Sequence, residues 1–355
     1  MFIIDYIAEN FIMLAELLGL WILLGISVHL PARSIKYTKV AIILILLDSV
    51  LFNIEYWTRS FETLSIWRPI LSYTIYSIQP LILMTVIQIA VSKMKWNIWL
   101  TIPGFLNIIL CFTSPWTHLV CYYSEDNHYN RGPLAFLPYA VFSFYVVLSL
   151  IHSLFYFQRT TTHEKMGIVY VIVSAVLGVA IYYARGVSED YSAIFASAML
   201  MYFLFIYFHQ AKMDPLTGLM NRQCYYLDSK NLANRITVVA SVDMNDLKWW
   251  NDTKGHEAGD IALQAVADCL AVNKGASKRV YRVGGDEFMI FYLGKLESEV
   301  MKDIEEMTCL LGETPYVCAF GHSVLEKGMR IEEAVLISDK EMYENKAMLK
   351  KKTRL

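Results

Sequence analysis

Seven stretches of the chain are apolar on every helical face, at about 11–30, 38–57, 69–92, 97–116, 134–157, 166–184 and 190–209. Each approaches the roughly 20 apolar residues that a helix needs to cross the hydrocarbon core of a bilayer. Most carry no charge, whereas the first holds Glu16 and the second Asp48 and Glu55. After residue 210 the pattern becomes periodic. It predicts a helix over 214–231, a strand over 236–242 and helices near 245–254 and 257–273. A strand over 279–283 then turns through Gly284-Gly285 into a second strand over 287–292. A helix near 296–310, a strand over 316–323 and a helix over 330–351 complete the pattern. Strands alternating with helices around one hairpin read as an α/β sandwich.

Charge sharpens this division. Residues 1–210 hold 11 basic and 11 acidic side chains, and residues 211–355 hold 20 and 22. Overall 18% of the residues are charged, against about 25% in an ordinary soluble domain, and mean hydropathy is +0.39. A single soluble globule, a disordered chain and a disulfide scaffold are excluded. The net charge of −2 gives no sign of a nucleic-acid partner.

Basic residues in short loops set membrane orientation. Arg33, Lys36 and Lys39 follow the first span, Lys93 and Lys95 the third, and Arg159 and Lys165 the fifth. The intervening loops are mixed or acidic: Arg59, Glu62 and Arg68, then Glu125, Asp126 and Arg131, then Arg185, Glu189 and Asp190. This alternation expects seven spans with the N-terminus outside and everything after Gln210 in the cytoplasm. Asp5 and Glu9 stand where a cleavable signal peptide needs basic residues.

Glu16 and Asp48 are costly in lipid, so they are expected to face the bundle interior, as functional groups or as packing partners. His29, His118, His128 and His152 lack metal-ligand spacing. Cys111 and Cys121 fall near the outer face, where they would be able to pair; Cys224, Cys269, Cys309 and Cys318 should stay reduced. Loop 113–133, rich in Trp, Tyr and His, would cap a ligand pocket or sit in the interfacial aromatic belt.

In the C-terminal half the chemistry gathers at strand ends. Asp243 closes an apolar strand, and Asp286 and Glu287 follow two glycines at the hairpin. Three carboxylates from two strands would suit Mg²⁺, with Lys248 and Lys346 and the helix starts near 245 and 257 available to phosphate. A plain hairpin turn with solvated carboxylates is the alternative that spacing alone leaves open. The basic tail Lys350-Lys351-Lys352 with Arg354 reads as a solvated helix end, with contact to anionic lipid or triphosphate as the alternative.

Four motifs then carry a resemblance. Val283-Gly284-Gly285-Asp286-Glu287-Phe288 resembles the signature of the GGDEF diguanylate cyclases. Asp214-Pro215-Leu216-Thr217-Gly218-Leu219-Met220-Asn221-Arg222 resembles that family's opening motif. Asp243 to Lys248 followed by Asn251-Asp252 and Gly255 to Asp260 resembles its second block, and Ser338-Asp339 through Met342-Tyr343 and Lys346 its closing helix. The resemblance spans the C-terminal half only. It implies a nucleotidyl-cyclase-like, ferredoxin-like βαββαβ core, and the apolar stretches before it predict an all-α transmembrane bundle. The expected organisation is a seven-helix sensory domain over 1–210 and a cyclase domain over 211–355.

The resemblance implies synthesis of cyclic di-GMP from two GTP by a homodimer at a bacterial inner membrane, under control of an unknown ligand. Asp243, Met244, Asp286 and Glu287 would hold Mg²⁺ (or Mn²⁺), and Asp286 or Glu287 would take the proton of the attacking 3′-hydroxyl. Lys248 and Lys346 would face the triphosphate, and His256, Gly284 and Gly285 would line the nucleotide site. Asn251 and Asp260 would read the base; an acidic acceptor suits the donors of guanine and disfavours adenine. Asn245 stands where the family often has a second Asp, Trp249 and Trp250 are bulkier than usual, and Gly275-Ala276-Ser277-Lys278 replaces the Arg-x-x-Asp product-inhibition site. A nucleotide-binding receptor without activity, a cyclase making mixed or adenine dinucleotides, and a transporter with a regulatory domain are the competing readings.

Overall fold

The computed structural model describes residues 2–27, 30–63, 65–90, 98–156, 162–185, 191–273, 275 and 277–353. His29, Lys93, Lys95, Arg159, Glu189, Asp190, Ala276 and Arg354 lie outside the described residues. The chain divides into two compact units, Met1–Tyr207 and Phe208–Leu355.

The first unit consists of α1 (Phe2–Glu9), α2 (Phe11–Ile26), α3 (Ala32–Thr58), α4 (Trp67–Ala90), α5 (Ile102–Thr117), α6 (Leu137–Tyr156), α7 (Thr162–Arg185) and α8 (Ser192–Ala211), with a hairpin of β1 (Cys121–Tyr123) and β2 (Tyr129–Arg131). Met13, Leu17, Leu20 and Leu24 of α2 recur at helical spacing and are buried against α3, α4 and α8. The opposite face is equally apolar: Leu18 is 62% and Ile22 53% exposed. An exterior of this kind suits hydrocarbon rather than water, and a helix satisfies all its own backbone groups there. Among the described residues four helices are long and apolar enough to cross a membrane, α3, α4, α8 and α5 with the 3₁₀ turn Ile98–Thr101 that precedes it. A fifth arises if α1 and α2, bent by 78° at their junction, count as one. The described apolar parts of α6 and α7 are shorter.

One end of this unit is tied by a buried cation. Arg68 at the start of α4 donates to Glu55 on α3 at 3.1 Å and to the Asn127 side chain at 2.7 Å, and lies over the Tyr123 ring. Asn127, at φ 63 in the β1–β2 turn, donates in its turn to the carbonyls of Thr58 and Phe61. Glu55 and Arg68 thus satisfy each other in a place where a lone charge would be prohibitive. Cys111 and Cys121 are buried in one cluster with Tyr73 and are free thiols, so the suggested pairing is not made.

The second unit holds α9 (Arg222–Asn231), β3 (Ile236–Met244), α10 (Leu247–Lys254), α11 (His256–Leu270), β4 (Lys278–Arg282), β5 (Glu287–Leu293), α12 (Glu297–Gly312), β6 (Cys318–Val324) and α13 (Ile331–Thr353). Its sheet has the order β4-β5-β3-β6 with every pair antiparallel. That is the ferredoxin-like arrangement expected of a βαββαβ chain. The expected helix over 214–231 starts only at Arg222. Pro215 and Gly218, the latter at φ +66, belong to a turn in which Asp214 accepts from the Thr217 amide and hydroxyl, and Asn221 caps the helix through the Cys224 amide.

Strand alternation sorts the core into two layers. Val238, Ala240, Val242 and Met244 face one way, with Phe288 and Ile290, toward α11 and α12. Val239, Ser241 and Asp243 face the other way, toward α13. An irregularity in the β3–β5 register at Ile236–Val238 breaks the parity and lets Ile236 join Val239. α13 can lie directly on β6 because of Gly321: a Cβ there would stand 2.1 Å from the Ser338 carbonyl oxygen and 2.3 Å from the Met342 nitrogen. Both are backbone atoms, so the helix itself would have to move. Gly321→Ala is therefore expected to destabilise the second unit by about 1–3 kcal/mol, read as a lower thermal unfolding midpoint; an unchanged midpoint would contradict this packing.

Candidate functional site

The site forms where β3 ends beside the β4–β5 hairpin. Asp243 is the Cα partner of Glu287 on β5 and of Ala319 on β6. Met244 donates its amide to the Asp286 carbonyl at 2.9 Å, so the strand end and the hairpin turn are locked together. Asp243 is only 6% exposed and accepts a hydrogen bond from Lys346 of α13 at 2.5 Å. Lys346 lies eight residues after Ser338 and four after Met342, the spacing that returns side chains to one helix face, and Ser338 and Met342 both rest on the sheet. Burial raises the Asp243 carboxyl above the ordinary carboxylate range, Lys346 opposes that rise, and the nearby Asp286 charge adds to it.

The hairpin turn is held from outside the sheet. Val283 and Gly284 donate their amides to the Glu287 carbonyl. The Glu287 side chain folds back over Gly284, where a Cβ would meet its Oε2 at 2.6 Å; the absence of a side chain at 284 is what lets it lie there. Arg282 donates to the Gly285 carbonyl at 2.9 Å and reaches Asp214 at 3.1 Å. Asp214 is partly buried, which works against its charge, but hydrogen bonds from Thr217 and the Arg282 guanidinium hold its carboxyl below the usual range. Asn221 donates to the Ala211 carbonyl at 2.7 Å, and its amide to Lys212. Chain leaving α8, the opening turn and the glycine hairpin are therefore one hydrogen-bonded path.

A second wall comes from α10 and α11. Asp246, at φ 58, and Gly255, at φ +86, bracket α10. A Cβ on Gly259 would meet the Asn251 Oδ1 at 2.0 Å, so Asn251 packs on the first turn of α11, next to Asp260 in sequence. Lys248, His256 and Asp260 are exposed on this wall. Trp250 packs on the core and edge-on to Tyr316, as a space-filling role requires, while Trp249 is exposed with Lys254 over both rings. Asn245 is buried, with its Oδ1 lacking a hydrogen-bond partner.

Among the described residues no three His, Cys, Asp or Glu side chains gather tightly enough to hold a metal by themselves. Asp243 is turned to Lys346, and the Glu287 side chain lies over Gly284. What stands at the strand end is Asp243 with the Asp286 charge close by, neutralised by an ammonium group. That donor set fits Mg²⁺, which is held through one or two carboxylates plus substrate phosphates; the Lys346 ammonium occupies the position of positive charge.

In the first unit, Glu16 accepts from Ser197 at 2.9 Å, and Asp48, 1% exposed, accepts from Ser192 at 3.5 Å. Both acids therefore meet α8. Arg282, Asp214 and Asn221 form part of the site's frame without having been singled out for it from sequence. The signal available was an arginine one residue before Val283 and an aspartate opening the turn.

The family described as "Diguanylate cyclase, GGDEF domain" matches residues 211–352. Over 148 residues the chain is 30% identical to diguanylate cyclase DgcN of Escherichia coli, covering 38% of this chain and 36% of that protein. Over 150 residues it is 27% identical to diguanylate cyclase DgcS of Shewanella oneidensis, covering 39% and 50%. A solved microbial GGDEF domain with bis-(3′,5′)-cyclic di-GMP is 30% identical, with 39% of this chain and 93% of that chain covered and a TM-score of 0.35. The chain spans about a third to a half of the length of the curated relatives it matches. Residues 211–352 form a GGDEF domain.

Arg282→Lys keeps the charge but not the fork that serves Asp214 and Gly285 together. Faster amide exchange at Val283 and Gly284 is expected, with the β3–β5 ladder protected as before. Unchanged exchange at both amides would show that the turn holds itself.

Proposed function

We propose that this protein is a membrane-bound diguanylate cyclase, condensing two GTP into cyclic di-GMP with release of two pyrophosphates. The observation that carries the reading is the placement of Asp243 beside Asp286 and Glu287 within a GGDEF domain. In each half-reaction a 3′-hydroxyl oxygen bonds to the α-phosphorus of the other GTP and the bond to pyrophosphate breaks. The hydroxyl proton passes to Asp286 or Glu287. Bound Mg²⁺ or Mn²⁺ would supply charge neutralisation at the phosphates, held by Asp243, Asp286, Glu287 and the Met244 carbonyl.

Lys346 would exchange its bond to Asp243 for phosphate oxygens, so positive charge stays at the strand end throughout. Lys248, at the start of α10, adds a second cation. Gly284 and Gly285 admit the nucleotide backbone closely, His256 borders it, and Asn251 with Asp260 selects guanine. Each domain holds one GTP, so two copies of the chain must face each other as a homodimer. The first unit, as seven spans with its N-terminus outside, would place the GGDEF domain in the cytoplasm and set how two domains meet in answer to a ligand. The path from Ala211 through Asn221, Asp214 and Arg282 to Gly285 supports such control.

Full-length protein in lipid nanodiscs with Mg²⁺ and GTP is expected to yield cyclic di-GMP by mass spectrometry, and none from ATP alone. Asp243→Ala should lower the rate by about a hundredfold or more. A wild-type rate from that variant, or tight GTP binding without any dinucleotide, would overturn the proposal.

Product feedback has a separate expectation. Lys278, at the last position of the replaced Arg-x-x-Asp motif, is 3% exposed and pairs with Asp303 at 2.6 Å, with Tyr292 bonded to the same carboxylate. A buried, paired lysine presents nothing to a dinucleotide. Initial rates should therefore stay level as cyclic di-GMP is added, and inhibition that Lys278→Met abolishes would contradict this.

A further inference from the structure

The first unit contains an apolar cavity between α4, α6, α7 and α8, part of it open to the exterior. Its size comes from small side chains on three helices: Ser149 on α6, Ala175 on α7 and Ala198 on α8. Along α8 it runs from Phe195 to Tyr202, about 10 Å at 1.5 Å per residue. Among the described residues no charged side chain lines it.

Polar atoms are few and deeply buried. Ser153 and Tyr202, 1% and 5% exposed, hydrogen-bond each other at 3.2 Å. Ser149, 7% exposed, spends its hydroxyl proton on the Val146 carbonyl at 2.8 Å, which leaves its oxygen able to accept. An anionic head would find no counter-charge here and would bear the full cost of desolvation. An alkane would leave the serine oxygen without a donor, the mismatch by which polar sites reject apolar analogues. A hydroxyl head answers both conditions, and the depth suits an apolar chain of medium length.

We infer that this cavity binds a neutral, medium-chain lipophilic alcohol taken up from the bilayer, and that this is the ligand class to which the membrane unit responds. The inference rests on the reading of residues 1–210 as membrane-embedded. Four helices meet at the cavity, and α8 is the one whose C-terminal end, Ala211, is bonded to Asn221 of the GGDEF domain. A ligand that spreads or tightens the helices around Ala198 and Tyr202 thus acts on the element continuous with the opening turn.

The test uses full-length protein in nanodiscs and a decanol carrying a mid-chain diazirine. Irradiation is expected to label α6 and α8 at positions lining the cavity. Unlabelled decanol in excess should suppress labelling about tenfold or more, and decane or decanoate much less. Ala198→Trp fills the cavity and should abolish labelling, whereas Val147→Trp, on the 54% exposed face of α6, should not. Ala175→Phe fills the same space from α7, so the test survives misfolding of either variant. Labelling that persists in the filled variants, or spreads over exposed positions such as Val147, would overturn the site. Equal competition by decane would overturn the hydroxyl head. The readout does not depend on dinucleotide synthesis, so either failure leaves the cyclase reading standing. Protein that stays soluble without detergent or lipid would instead remove the membrane reading beneath it.

Discussion

A carboxylate at the end of a central, almost wholly buried strand has to be neutralised, and the GGDEF unit is arranged around that requirement. Asp243 stands at the end of β3, between β5 and β6, almost without solvent. Burial disfavours its charge, and the bond from Lys346 offsets that only because α13 lies flat on the sheet at Gly321. Loss of Lys346 would leave the buried Asp243 charge unpaired, which is far more costly than never having the pair. The same demand for positive charge at the strand end is what a metal ion with a nucleotide triphosphate would meet.

The glycine hairpin would be an ordinary tight turn without Arg282. That residue reads two different surfaces at once, the Asp214 carboxylate and the Gly285 carbonyl. Asp214 in turn organises the bend through which the chain leaves α8, and Asn221 fastens that bend to the Ala211 carbonyl. Rigid frames of this kind hold a reactive turn within the tolerance that chemistry needs.

Much of this was legible in the sequence because strand and helix periods differ. The short apolar run Val238, Val239, Ala240 and Val242 marks β3, and the two glycines before Asp286 mark the hairpin; both elements lie within two residues of expectation. The site's residue types were legible from the four motifs, but not their pairings. Lys346 bonded to Asp243 is a contact across 103 residues, and no local pattern announces it. The expected helix at 214 failed because Pro215 and the left-handed Gly218 make Asp214 a turn residue, a case of turn chemistry overriding apolar periodicity. Glu55 and Arg68 read from sequence as a charge within the second span and a loop charge, whereas in the fold they neutralise each other. The cavity was invisible because it depends on small residues from three helices meeting at one depth.

The proposed account makes the reaction a property of two facing domains, each half a site. Its most direct test is dilution of wild-type full-length protein with the Asp243→Ala variant at constant total concentration, both reconstituted together and assayed for cyclic di-GMP. A dinucleotide that needs an intact strand end from both copies requires the rate to fall as the square of the wild-type fraction. A fall in simple proportion to that fraction would mean that one intact domain suffices, and would contradict the account.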